Sequence, residues 1–210
     1  MNMDLDFIVT LQNHGEFERA IDETPAKIGF RSSCDNISRI PYFLDFPFTV
    51  PDFTFEDHLA AAERFKPHIT VAPDVEKGLS LDEAIYQADL LLDHSDVVIM
   101  VPKDVHPVDI PSRFRVGLTM ANMGSSAPWL LWDYRNCESI HVLGGGPHRQ
   151  LIALEHGLAV DSMDSTSLGI YAMYGVWDLK SKDAPDAWDY SRRLTESVNN
   201  YCSHLETICG

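Results

Sequence analysis

One stretch restricts this chain more than any other. From Ser139 to Ser167 it reads as an apolar strand (Ile140 to Leu143), a glycine turn (Gly144 to Gly146) and a helix opened by Pro147. A second strand follows over Leu158 to Ser162 and ends in small polar residues. Proline suits the first turn of a helix, where its missing N–H costs nothing. Gly157 stands where a left-handed C-terminal cap is wanted. Two buried strands joined by one helix form a βαβ unit, which within one sheet is parallel and right-handed. The chemistry of such units gathers at the C-terminal ends of their strands. Here that edge carries Leu143, Gly144, Gly145, Gly146, Asp161 and Asp164.

The same grammar runs upstream. Strands are expected over Asp6 to Leu11, Lys27 to Arg31, Tyr42 to Phe46, His68 to Ala72, Val97 to Val101 and Phe114 to Met120. Helical spacing covers Phe53 to Phe65, with Phe55, Leu59, Ala62 and Phe65 on one face. Ser80 and Glu83 make a capping box for the next helix. Shorter helices are expected over Pro128 to Tyr134 and Leu168 to Val176, and a polar one from Asp186 to Ile208. Eight near-continuous apolar strands alternating with helices predict a parallel sheet covered on both faces. The expected architecture is a small α/β protein, a (β/α) TIM-like barrel, compact or partial, with an open doubly wound sheet as the alternative. The 210 residues fit one domain spanning the chain, although a full barrel more often takes about 250.

Charge and cysteines bound the function. No apolar run reaches the roughly 18 to 20 residues that cross a bilayer, and the acidic first residues lack a signal peptide's basic start. A cytoplasmic location without membrane contact is therefore expected. Net charge is −16, whereas a nucleic-acid surface needs lysine and arginine against phosphate. Either a local basic patch survives, drawn from Arg113, Arg115, Arg135 and Arg149, or a homo-oligomer or partner protein supplies the positive charge. Cys34, Cys137, Cys202 and Cys209 form no close pair, and no histidine spacing matches a zinc motif, so neither metal nor cofactor is expected.

The glycine turn, the amphipathic helix, His156-Gly157 and the run from Asp161 through Ser167 to Ala172 resemble the last barrel strands of the tRNA-guanine transglycosylase family. That family includes relatives that place 7-deazaguanine bases into DNA. The resemblance covers about a fifth of the chain. It implies a barrel enzyme exchanging guanine for a 7-deazaguanine through a covalent aspartyl intermediate, with Asp164 as nucleophile and Asp74 as acid and base. The closely spaced cysteines of the tRNA-acting members have no counterpart, which favours DNA over tRNA as partner. Leu143 and Gly144 to Gly146 would wall the base, with Asp104 and Asp161 near it. Pro102 and Met120 stand where the family carries an Asp and a Gln that read the base.

The residues themselves support a narrower statement. Retaining glycosyl transfer needs two carboxylates in different states, one attacking and one moving protons. Asp74, Asp104, Asp161 and Asp164 all fall at expected strand ends. A strand-end Asp is also a common helix cap, and a glycine turn before a helix also suits a phosphate. A barrel-derived accessory protein that binds a base or nucleic acid without catalysis is the competing expectation.

Overall fold

The computed structural model describes residues 5–10, 15–34, 37, 39–76, 78–120, 128–177 and 182–209. Eight parallel strands close into a complete barrel: β1 (Asp6–Thr10), β2 (Lys27–Arg31), β3 (Phe43–Asp45), β4 (Ile69–Val71), β5 (Val97–Met100), β6 (Arg115–Thr119), β7 (Ile140–Leu143) and β8 (Val160–Ser165). β1 shuts the ring by pairing with β8, Ile8 opposite Asp164. The barrel expectation holds and the open sheet does not. Around it lie α1 (Gly15–Asp22), α2 (Phe55–Phe65), α3 (Leu81–Leu92), α4 (Pro147–Glu155), α5 (Ser167–Met173) and α6 (Tyr190–Cys209).

A short chain completes the ring by economy in both layers. β3 and β4 have 3 residues each, and the longest strand, β8, has 6. Among the described residues, the crossovers that flank β6 carry the 3-10 turns Pro107–Asp109 and Leu131–Tyr134 and no α-helix. Two-residue strands β9 (Val176–Trp177) and β10 (Lys182–Asp183) form a hairpin after α5; they are too short for a period-2 pattern to announce. The loop expected around Gly124 falls outside the described residues. Among the described residues, no helix is long and apolar enough to cross a membrane.

Local chemistry sets the helix starts. Ser80 and Glu83 exchange the reciprocal bonds of a capping box, and Thr54 with Asp57 does the same for α2. α2 therefore begins at Phe55, two residues later than its apolar pattern alone suggests. α6 packs on α1, α4 and α5, and its Tyr201 meets Phe7 edge-on at 4.6 Å between ring centroids.

Strand alternation divides the core in two. Ile8, Phe43, Ile69 and Ile99 fill the barrel interior, while Val9, Phe30, Leu44 and Val98 face the helices. Two glycines thin the interior. A Cβ at Gly29 would lie 2.8 Å from the Phe43 ring, and one at Gly117 would lie 2.8 Å from both Leu143 and Val101. In that space Phe43 of β3 stacks on His141 of β7, ring centroids 5.3 Å apart and planes 12° from parallel.

Candidate active site

At the C-terminal mouth of the barrel lies a cavity of about 230 Å³. Every strand or its immediate extension contributes to its wall: Thr10, Arg31, Asp45 and Val71 from β1 to β4, then Val101, Thr119, Leu143 and Asp164 from β5 to β8. The volume lies below the roughly 300–1,000 Å³ of pockets that take drug-sized ligands. It suits one ring system.

Asp164 sits in the wall, 7% exposed. Its Oδ1 accepts the Gly144 N–H at 3.1 Å and lies 3.2 Å from His141 Nε2; its Oδ2 accepts the Thr10 hydroxyl at 3.2 Å. Consecutive left-handed backbone at Gly144 (φ 61°) and Gly145 (φ 78°) produces this arrangement. A Cβ on Gly145 would also come within 3.0 Å of the Met120 carbonyl oxygen. From below, the Gln150 amide donates to the carbonyls of Gly144 (3.0 Å) and Asp164 (2.5 Å). Tyr201 donates to the other end of that amide at 2.9 Å, so α6 helps hold the turn. Because Asp164 already takes the Gly144 N–H, a phosphate cradle at this turn loses its first donor.

Asp74 reaches the same cavity from beyond β4. Val75 bonds to the backbone of Val101, Lys103 and Asp104, which extends the β4–β5 pairing. That extension sets Asp74 in an ion pair with Lys103, whose ammonium also stands 5.3 Å over the Phe48 ring. Burial raises the Asp74 carboxyl above the ordinary carboxylate range, and Lys103 offsets part of the rise.

Asp45 is the carboxylate that strand-end reasoning missed. Its Oδ2 stands 3.8 Å from Arg31 Nε, 22% of its side chain is exposed, and it lines the cavity. Burial first, and then the charge of Asp164, push its pKa up to about 8, against the opposing pull of Arg31. It therefore carries a proton at neutral pH. Extending the third strand to Phe46 concealed that Asp45 closes a strand just as the other candidates do. Lys103, beside Asp104, was hidden in an expected loop.

The remaining sequence candidates are dispersed. Leu143, Gly144 and Gly145 line the cavity, but Gly146 is the N-cap of α4 and does not. Asp104 is exposed and outside the lining, its N–H turned to Val75. Asp161 lies at the far end of the barrel, accepting the Ser139 hydroxyl with Arg115 at 3.9 Å. The reason is register: the last strand starts at Val160, two residues late, so Asp164 reaches the mouth and Asp161 marks the base. Among the described residues, no group of three His, Cys, Asp or Glu side chains is placed to hold a metal.

Fold and site together define a (β/α)8-barrel protein with a carboxylate-lined pocket at its C-terminal rim. The chain belongs to DUF6610, a family of unknown function whose profile matches residues 23–206. Among solved structures, the crystal structure of the YdjI aldolase from Escherichia coli K12 is similar with a TM-score of 0.54, over 98% of this chain and 91% of that one, at 12% identity. At that identity the likeness concerns the fold. No curated protein matches.

Proposed function

We propose that the protein is a transglycosylase-like enzyme that exchanges guanine in DNA for a 7-deazaguanine base through a covalent bond to Asp164. One observation carries the reading: the carboxyls of Asp45, Asp74 and Asp164 line one base-sized cavity beside the Gly144 N–H. Asp164 attacks C1′ of the target nucleotide, and the C1′–N9 bond breaks with its electron pair passing to the base. Asp45 gives its proton to the departing guanine. The Asp45 carboxylate then takes the N9 proton of the incoming 7-deazaguanine, whose nitrogen attacks C1′ and frees Asp164. Asp45 thus takes the acid–base role that the family resemblance implied for Asp74, because Lys103 holds Asp74. The Asp74–Lys103 pair offers an acceptor and a donor, the complement of guanine's N1–H and O6. The target must leave the helical stack to enter, and Phe48, 60% exposed at the rim, offers it a stacking face.

The test is purified protein, DNA carrying labelled guanine and free 7-deazaguanine. Without acceptor base at most one equivalent of label leaves per enzyme, release turns over only when the acceptor base is present, and Asp164→Asn abolishes both; label release that survives Asp164→Asn removes the assignment. The acidic composition favours the competing reading, an accessory protein that binds the base only. That reading predicts a thermal shift with 7-deazaguanine and no release from DNA.

A further inference from the structure

Arg115 stands at the end of the barrel away from the cavity, its side chain only 14% exposed. Its Nε donates to Ser139 Oγ at 3.0 Å and its Nη1 to Ser162 Oγ at 2.7 Å. Ser162 Oγ lies 2.6 Å from Nδ1 of His141, and Nε2 of the same ring lies 3.2 Å from Asp164 Oδ1. Four side chains on β6, β7 and β8 therefore connect the base of the barrel to its mouth. Ser162 and His141 have no exposed surface.

The direction of each bond follows from donor arithmetic. A guanidinium has no acceptor, so Ser162 accepts from Arg115; a carboxylate has no donor, so Nε2 carries the proton shared with Asp164, and Nδ1 of the neutral ring accepts the Ser162 hydroxyl proton. A neutral imidazole whose Nδ1 accepts carries its proton on Nε2, which is then donated to Asp164. Burial lowers the His141 pKa and keeps the ring neutral. Of the charged groups facing it, Asp164 on β8 and Asp6 on β1 favour the charged form, whereas Arg115 on β6 opposes it. The stacked Phe43 ring fixes the imidazole plane. The chain does not conduct protons, because arginine does not release one at any working pH. What remains for it is orientation.

We infer that Arg115, Ser162 and His141 form a positioning relay along the barrel axis, one that fixes the Nε2–H tautomer of His141 and so anchors Oδ1 of Asp164. This inference rests on the proposed role of Asp164 as nucleophile. Among the described residues, Oδ1 is tied twice, by Gly144 N–H and His141 Nε2–H, whereas Oδ2 accepts the Thr10 hydroxyl alone. Oδ2 is then the oxygen that attacks C1′. When the ester forms there, Oδ1 becomes its carbonyl oxygen and keeps both donors.

Two measurements on the full chain test the relay separately from the exchange reaction. In ¹⁵N-labelled protein at pH 7.5, NMR of the His141 ring shows a neutral imidazole protonated at Nε2 and bare at Nδ1. A ring protonated at Nδ1, or an imidazolium, overturns the relay whether or not exchange occurs. In the exchange assay, Ser162→Ala removes one small hydroxyl, leaves Nδ1 without its donor and lowers kcat about tenfold with KM unchanged. His141→Gln, which keeps an N–H where Nε2 stands, retains more kcat than His141→Ala. Unchanged kcat in Ser162→Ala overturns the relay while leaving the transglycosylase reading intact. Exchange that persists in Asp164→Asn overturns that reading while the tautomer result stands.

Discussion

Asp45 and Asp164 face one cavity from β3 and β8, and the charge of Asp164 adds to burial in holding Asp45 protonated up to a pH of about 8. Two carboxyls in unlike states are the minimum equipment of covalent glycosyl transfer. The pairing gives Asp45 an effect on stability as well as a role in chemistry.

For stability, the folded pKa of Asp45 lies above its ordinary value of 3.8. A group raised in this way contributes fully below the unfolded value and loses that contribution as pH rises toward the folded one. Asp45→Asn cannot ionise and escapes the loss. Its melting temperature should exceed wild type at pH 7, with a gap that is small at pH 4 and grows to pH 8. At about 1.4 kcal/mol per pKa unit, the gain at pH 7 is at most about 4 kcal/mol. Melting curves of both proteins across pH check this; equal midpoints at pH 7 contradict it.

His58 works in the opposite direction. It is wholly buried between Ser32 and Thr70, and burial lowers its pKa from 6.5 to about 4. The unfolded chain takes up this proton below about pH 6.5 and the folded one does not, so stability falls as pH drops from 6.5 toward 4. In wild type the Asp45 slope offsets it. In Asp45→Asn that offset is gone, and stability falls more steeply than in wild type as pH drops; His58 itself accounts for a loss of about 3 kcal/mol between pH 6.5 and 4, read by chemical denaturation.

Exchange activity should follow the same acid. The rate falls as pH rises through about 8, where Asp45 loses the proton that the departing base needs. Asp45→Asn removes that alkaline limb along with most of kcat. A limb that persists in the variant assigns the proton to another group.

Interior crowding is also testable. Gly29→Ala sets a methyl 2.5 Å from Thr10 Cγ2 and 2.8 Å from the Phe43 ring. Overpacking of this kind costs about 1–3 kcal/mol. Because Thr10 binds Asp164, exchange should fall along with the denaturation midpoint. A variant with an unchanged midpoint contradicts the packing.

The barrel was legible because most strands carry an apolar run with polar residues after it, and because Ser80 with Glu83 and Gly144 with Pro147 mark helix starts chemically. The cavity was legible in part. Asp74, Leu143, Gly144, Gly145 and Asp164 follow from strand-end position together with the glycine turn. Asp161 and Asp104 did not follow, since a two-residue error in where β8 begins moves a carboxylate from one end of the barrel to the other. Asp45 was lost to one extra residue assigned to β3. Its raised pKa comes from burial and then from Asp164, 119 positions away in the sequence, and no local pattern encodes either. Arg115 was legible only as a member of a candidate basic patch, and His141 and Ser162 fell in no motif, because the bonds joining the three cross three strands.

The most direct test is to trap the covalent species. Wild-type protein is incubated with guanine-containing DNA without acceptor base, denatured, and examined by gel and peptide mass spectrometry. The account predicts a protein–DNA adduct on the peptide carrying Asp164, absent in Asp164→Asn and discharged by 7-deazaguanine. Base exchange without any adduct, or an adduct that survives Asp164→Asn, contradicts it.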